Sequence, residues 1–201
     1  MLYYMFNKPM GCVTARSDAV HRTVMDYFPP QLAEQLHPVG RLDKDTCGLL
    51  ILTDDGMLDV SIMQPKKHIS KTYFFYAIGS VNNEKAALLE QGVPLVGFTT
   101  DRAKFRLIKR FRIAELEAFM PEKRRMRYMK NPDGPAFAAE LTISEGKKHE
   151  VKRMLEAVGC RIFYLRRECI GKLRLDPRLE QGQFRPLTDE EVAMLKSNAE
   201  I

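Results

Sequence analysis

With 201 residues, 45% of them hydrophobic and 29% charged, the chain is long enough for one domain or for two small lobes sharing a core, and its composition excludes a disordered tail, a collagen-like repeat and a coiled coil. The net charge is +6 and unevenly spread: residues 101–130 hold eleven bases and four acids, which leaves the remainder at −1. The longest uncharged apolar run covers residues 46–53, far short of the ~20 needed to span a bilayer, and the opening MLYYMFNKPMG lacks the basic leader of a secretion signal.

In chain order, residues 2–7 read as an aromatic strand stopped by the turn Lys8-Pro9-Met10-Gly11. A short helix is expected over 21–28, ended by Pro29-Pro30, and another over 31–36. Residues 48–53 form a fully apolar strand closed by Asp54-Asp55-Gly56, and 57–63 read as helical. Residues 71–78 carry apolar side chains on both faces, which predicts a central strand. A helix over 83–91 stops at Gly92. Residues 101–130 are ambiguous: Phe105 and Leu107 alternate with bases as in a strand, whereas Pro121 and the dense charge suggest a mobile loop. A strand follows over 136–144. Residues 147–158 predict an amphipathic helix with Val151, Met154, Leu155 and Val158 on one face and Gly159 at its end. Strands are expected over 161–165 and 173–175. Thr188 and Glu191 have the spacing of a capping box for a last helix. Strands outnumber helices without regular interleaving, so the expected class is α+β with a mixed, mostly antiparallel central sheet flanked by helices. No repeat and no sharp composition shift marks a domain boundary.

Four cysteines (12, 47, 160, 169) and four histidines (21, 37, 68, 149) are scattered without metal-ligand spacing, so neither a metal nor a disulfide is expected. Three clusters could carry chemistry. In Gly40-Arg41-Leu42-Asp43 a carboxylate stands beside a base and just before a buried strand. There it needs a cation or hydrogen-bond donors to stay ionised. Alone, Asp43 is better read as capping a turn. In 144–154, a strand end, a glycine turn and a helix start bear Lys147, Lys148, His149, Lys152 and Arg153. Such a cluster suits an anion, though it fits a solvated polar face equally well. Lys71-Thr72-Tyr73 opens the aromatic strand. Tyrosine offers a flat face to a base and a hydroxyl for hydrogen bonding, but an isolated tyrosine is more often core.

Together the motifs resemble the RsuA-type pseudouridine synthases. They are Asn7-Lys8-Pro9-x-Gly11, then Gly40-Arg41-Leu42-Asp43-x-x-Thr46-x-Gly48 running into residues 49–56, then Lys71-x-Tyr73. After these come Glu145-Gly146-x-x-His149-x-Val151-Lys152-Arg153-Met154, Arg167-x-x-Ile170-Gly171 and the tail at 182–188. The likeness covers nearly the whole chain. It implies two α/β lobes sharing one sheet, with an RNA cleft between them, as a single catalytic domain over 1–201. It implies isomerisation of uridine to pseudouridine in ribosomal RNA, small-subunit RNA first, without cofactor or redox change. The alternatives are large-subunit RNA, transfer RNA, or a non-catalytic RNA-binding assembly factor. A cytoplasmic monomer without a separate N-terminal RNA-binding module is expected. The resemblance also assigns roles. Asp43 aligns with the catalytic aspartate, Tyr73 with the tyrosine that stacks on the target base, and Lys152 with the cation that pairs with the carboxylate. Arg41 aligns with the basic residue beside the aspartate. Lys71, Lys147, Lys148, His149 and Arg153 are expected RNA contacts. Arg124, Arg125 and Arg127 in the basic segment are expected to grip RNA in place of the module. Relatives usually carry glutamine where this chain has Glu150. A negative charge there would repel phosphate unless it pairs with Lys147, Lys148 or Arg153.

Overall fold

Every one of the seven residues of Cys47–Thr53 is buried, as an apolar run of this length requires when both faces of its strand are covered. A computed structural model describes residues 1–64 and 68–199. In chain order the strands are β1 (Tyr3–Lys8), β2 (His37–Val39), β3 (Cys47–Thr53), β4 (Lys71–Ile78), β5 (Pro94–Leu95), β6 (Phe98–Thr99), β7 (Lys104–Arg112), β8 (Pro135–Ile143), β9 (Arg161–Ile170), β10 (Leu173–Arg174) and β11 (Phe184–Pro186). The helices are α1 (Pro30–Ala33), α2 (Gly56–Met63), α3 (Asn83–Gln91), α4 (Glu122–Tyr128), α5 (Glu150–Ala157) and α6 (Asp189–Ala199). The class is α+β, with parallel and antiparallel pairings. The chain divides into two compact units, Met1–Lys71 with Arg166–Ile201 and Thr72–Leu165.

In the first unit the strand order is β11-β1-β3-β9, with β2 also paired to β3 and β10 to β9. β1 runs antiparallel to β3, placing Lys8 opposite Gly48, and β3 runs parallel to β9, placing Gly48 opposite Arg167. One side of β3 packs Leu49 and Ile51 into a core with Met5, Ile62 and Leu195. Helix α2 starts where Asp55 accepts hydrogen bonds from the Met57 and Leu58 N–H groups, both 3.1 Å. The Tyr3 hydroxyl donates to the same carboxylate at 2.7 Å and holds it below the usual range. The expected capping box starts α6: the Thr188 N–H donates to Glu191 Oε2 at 2.9 Å, and the Glu191 N–H donates to Thr188 Oγ1 at 3.2 Å.

In the second unit the order is β9-β4-β8-β7. Strand β4 alternates between buried and half-buried positions along its eight residues. Tyr76 on its less buried side joins Phe111, Phe163 and Tyr164 around a core of Ile113, Leu116, Met120 and Tyr128. Helix α3 has the expected bounds, with Asn82 accepting from the Lys85 N–H at 3.0 Å and Gly92 stopping it at φ +113°.

Four expectations change. The helix expected over 21–28 is a 3-10 turn over Val24–Tyr27, because Thr23 and Asp26 close a capping box around so short a segment. Residues 101–130 form β7, a 3-10 turn over Ile113–Phe119 and α4; Phe111 and Tyr128 of the segment are packed, so its charged face is what reads as loop. Helix α5 starts at Glu150 instead of residue 147, since His149 takes a left-handed conformation at φ +55°. Strand β9 continues through Arg166-Arg167-Glu168 to Ile170. Its buried Arg167 donates from Nε to the Leu49 carbonyl at 2.8 Å, so charge does not end the strand. The strands β2, β5, β6 and β11 have two or three residues each, too few to show a period.

Leu50 is fully buried in β3. Leu50→Ala is expected to lower the unfolding free energy by about 3 kcal/mol. Urea titration should show this as a lower midpoint at unchanged slope.

Candidate active site and RNA interface

The segment between β2 and β3 carries Asp43 and is tied down from beneath by the segment that follows β1. Lys8 follows Asn7 at the end of β1, and its side chain is fully buried. Its Nζ donates to the carbonyls of Pro9 (3.1 Å), Asp43 (3.1 Å) and Thr46 (2.9 Å). An ammonium has three protons to donate, and here three carbonyls accept. Burial pulls the Lys8 pKa down, and charge interactions with Cys12, Cys47, Asp45 and Asp43, in falling order, oppose this. Thr14 adds a second tie. Its hydroxyl donates to the Leu42 carbonyl at 2.8 Å and accepts from the Leu42 N–H at 3.1 Å. A third is the Gly11 N–H, which donates to the Lys44 carbonyl at 2.7 Å, and the Thr46 N–H closes the loop onto the Asp43 carbonyl at 3.1 Å.

Two glycines make this loop possible. Gly40 has φ +68°, and a Cβ there would lie 2.5 Å from Met63 Sδ. Gly48 has φ +101°, and a Cβ would lie 2.4 Å from the Arg167 carbonyl oxygen. Both are glycine for reasons of backbone shape and close approach. The main chain of Asp43 is therefore fixed by at least two hydrogen bonds to its carbonyl, while its side chain is half-buried. Arg41 and Lys44 beside it are exposed, and Lys44 Nζ sits 3.2 Å from His21 Nδ1. Asp43 and Arg41 belong to the first unit.

Lys71 and Tyr73 stand two apart on β4 and share its buried side, each 9% exposed. Little of either side chain is exposed. Tyr73 and the remaining predicted residues belong to the second unit.

The turn from β8 into α5 holds the basic cluster. Lys147, Lys148 and His149 are exposed, and Lys152 and Arg153 are half-buried on α5. The structure brings Lys147 and Arg153 together on the ring of Phe98 in β6, at 3.9 and 4.9 Å from its centre. Arg153 also donates to the Val96 carbonyl at 2.8 Å. Arg124, Arg125 and Arg127 lie on a separate helix, α4, where Arg124 and Arg127 are exposed and Arg125 is half-buried.

Glu150 differs from expectation. It is 3% exposed, and its Oε2 accepts from the main-chain N–H of Lys147 at 2.8 Å instead of pairing with a side-chain cation. Burial, and then a side-chain hydrogen bond with Glu145, push its pKa up to about 8.

Sequence reasoning missed Lys8, Thr14 and Glu145 as parts of this machinery. A signal for Lys8 was available: it shares a strand side with Phe6, which is fully buried, so β alternation turns it inward. Nothing in a single sequence pointed to Thr14, whose partner lies 28 residues away.

Residues 2–157 match the family described as RNA pseudouridylate synthase. The chain belongs to that family. It is 40% identical over 191 residues to the ribosomal small subunit pseudouridine synthase A of Salmonella typhimurium, an alignment that covers 95% of this chain and 72% of that one. Its likeness to the Bacillus subtilis uncharacterized RNA pseudouridine synthase YtzG is 38% over 196 residues, covering 96% and 73%. A solved pseudouridylate synthase superposes with a TM-score of 0.80 at 37% identity, over 96% of this chain and 73% of that one. The archaeal Nop10–Cbf5 complex of the box H/ACA particle shares the fold alone, at a TM-score of 0.57 and 14% identity over 90% of this chain and 51% of that one. The class expected from the motifs, an RNA pseudouridine synthase, stands. Among the described residues no helix is long and apolar enough to cross a membrane, and no group of three His, Cys, Asp or Glu side chains is placed to hold a metal ion.

Replacing Lys8 by methionine leaves the carbonyls of Pro9, Asp43 and Thr46 without this donor. K8M is expected to lower stability by about 3 kcal/mol in urea titration. It should also reduce pseudouridine formation at temperatures where the variant is still folded, because the Asp43 loop loses its support.

Proposed function

We propose that this chain isomerises a uridine of small-subunit ribosomal RNA to pseudouridine, with Asp43 as the catalytic carboxylate. The observation that carries this reading is the support of the Asp43 loop: its backbone is bonded to the buried Lys8, and Thr14 and Gly11 bond to its neighbours. A loop this firmly held can keep one carboxylate in place against a sugar ring. The substrate assignment is supported by relatives named ribosomal small subunit pseudouridine synthase A, at 40% identity in Salmonella typhimurium and 39% in Escherichia coli K12. These bacterial relatives also support the cytoplasm as the place of action.

In the reaction the bond between ribose C1′ and base N1 breaks, the base turns, and C1′ bonds to C5. The C5 proton leaves and N1 gains one, so the product is an isomer and no oxidant or reductant takes part. Asp43 acts at the sugar. Tyr73 lies against the base, where a flat ring gives stacking area and its hydroxyl stands near the migrating proton. By its place in the motif Lys152 is the residue assigned as the cation of the reaction. Arg41 fills the space that the flipped base leaves, which offsets part of the few kcal/mol that unstacking costs. The cations of the α5 turn and of α4 follow the phosphate backbone.

Two outcomes test this. In cells lacking the gene, carbodiimide mapping of ribosomal RNA should lose one reverse-transcription stop; the wild-type gene should restore it and Asp43→Asn should not. A stop restored by Asp43→Asn would remove Asp43 from its role. For RNA binding, the combined change of Arg124, Arg125 and Arg127 to glutamine should weaken affinity and flatten the log affinity against log salt line by about 2. An unchanged slope would remove α4 from the interface.

A further inference from the structure

The strands β9-β4-β8-β7 of the second unit form a sheet with two unlike sides. Along β4, Tyr73, Phe75 and Ala77 take the buried side, and Thr72, Phe74, Tyr76 and Ile78 the half-buried one. The half-buried side continues across the neighbouring strands. The Thr72 and Thr142 hydroxyls share a hydrogen bond of 2.9 Å between β4 and β8. In the next pairing Thr142 stands opposite Lys104 and Glu140 opposite Arg106. Arg106 donates from Nε to Glu140 Oε2 at 3.2 Å. β7 is the last strand of the sheet, and its Lys104, Arg106 and Lys109 are exposed, so this side ends in a basic edge.

Aromatic rings fill the middle. Phe74 and Tyr76 meet edge to face with centres 5.1 Å apart, and Tyr164 of β9 lies 6.3 Å from Phe74 and 5.6 Å from Tyr76. Phe119, at the end of the 3-10 turn, is 4.7 Å from Tyr76 and 6.0 Å from Tyr164. Lys109 Nζ stands 4.8 Å from the centre of the Phe111 ring, itself 6.2 Å from Tyr76. Ile113, Leu116, Met120 and Tyr128 pack with Phe163 and close one end of the cluster. The rest is not sealed: Phe119 keeps 46% of its surface exposed, and Phe74, Tyr76 and Tyr164 are half-buried.

Rings held against one another, a line of cations along one edge and an acid already paired with Arg106 suit a partner with flat apolar rings on a negative backbone. An unpaired RNA strand has that chemistry: its bases stack on aromatic side chains and its phosphates go to lysine and arginine. A duplex hides the flat faces of its bases. Lysines on an edge strand also keep it from pairing with another sheet, a role that leaves the aromatic row unused.

We propose that this sheet face is a second RNA subsite, which holds an unpaired stretch of the substrate by stacking bases on Phe74, Tyr76, Phe119 and Tyr164 while Lys104 and Lys109 take its phosphates. It is distinct from the position assigned to the target uridine, because Tyr73 lies on the opposite side of β4. The inference rests on the proposed RNA-modifying reading and deepens it: the substrate carries unpaired nucleotides beyond the target.

The test uses the full chain. A labelled oligouridine of about ten nucleotides and an RNA duplex of the same length report affinity. F74L/Y164L, which exchanges rings for aliphatic side chains, and F119A, at the exposed edge, are compared with wild type. Each is expected to bind the single strand about tenfold more weakly, the scale of one lost stack, and the duplex within about twofold of wild type. K104Q/K109Q should flatten the log affinity against log salt line for the single strand by about 1.4, or about 0.7 for each phosphate contact. Equal losses on both RNAs, or no loss on the single strand, overturn the proposal. Crosslinking needs no variant, so misfolding cannot mimic its result. Wild-type protein irradiated with RNA that carries 5-iodouridine should join it at Phe74, Tyr76, Phe119 or Tyr164; crosslinks found only elsewhere overturn the proposal as well. Tritium release from ribosomal RNA is measured alongside. Ring-dependent binding with no pseudouridine formed would support the subsite and overturn the proposed reaction, and pseudouridine formed with none of the expected losses would do the reverse.

Discussion

The Asp43 loop depends on a buried ammonium. Removing a lysine from water costs several kcal/mol unless its protons are taken up. Lys8 meets that requirement with three main-chain carbonyls, and two of them belong to the loop. The dependence is mutual: the Lys8 Nζ–H groups find acceptors in the interior because the loop turns the Asp43 and Thr46 oxygens inward, and those oxygens find a donor because Lys8 is there. Carbonyls, unlike a carboxylate, leave the positive charge uncancelled, so the cation still attracts Asp43 and Asp45. Structure and electrostatics at this loop come from one side chain.

The start of α5 solves the opposite problem. Here a carboxyl, that of Glu150, is buried and accepts from the Lys147 main-chain N–H. The same turn must hold His149 left-handed and expose several cations. Lys147 serves both purposes, pairing with Glu145 and covering the face of Phe98. Arg153 covers the same ring and is fixed to the Val96 carbonyl, so the two cations are ordered by an aromatic side chain before any polyanion arrives.

Long patterned elements were legible in the sequence. β3, β4 and α3 emerge with bounds within a residue of expectation, because a continuous apolar run, an aromatic strand and an Asn-capped, Gly-ended helix are local signals. The capping box at Thr188 is likewise local. Residues 101–130 failed as a pattern because most of the charged residues face water while Phe111, Ile113 and Leu116 pack against strands from elsewhere in the chain. β9 outran its expected end for the same reason: the partner that lets Arg167 be buried is the Leu49 carbonyl, 118 residues away.

By itself the sequence determined the α+β class, the family and the residues that carry its motifs, since these rest on residue identity and on spacing along one strand or turn. Tertiary structure decided what those residues rest on. The Lys8 bonds to the Asp43 and Thr46 carbonyls, the Thr14 bonds to Leu42 and the burial of Glu150 are consequences of partners brought together by folding. Desolvation and hydrogen-bond geometry are properties of a three-dimensional environment, and no spacing along the chain encodes them.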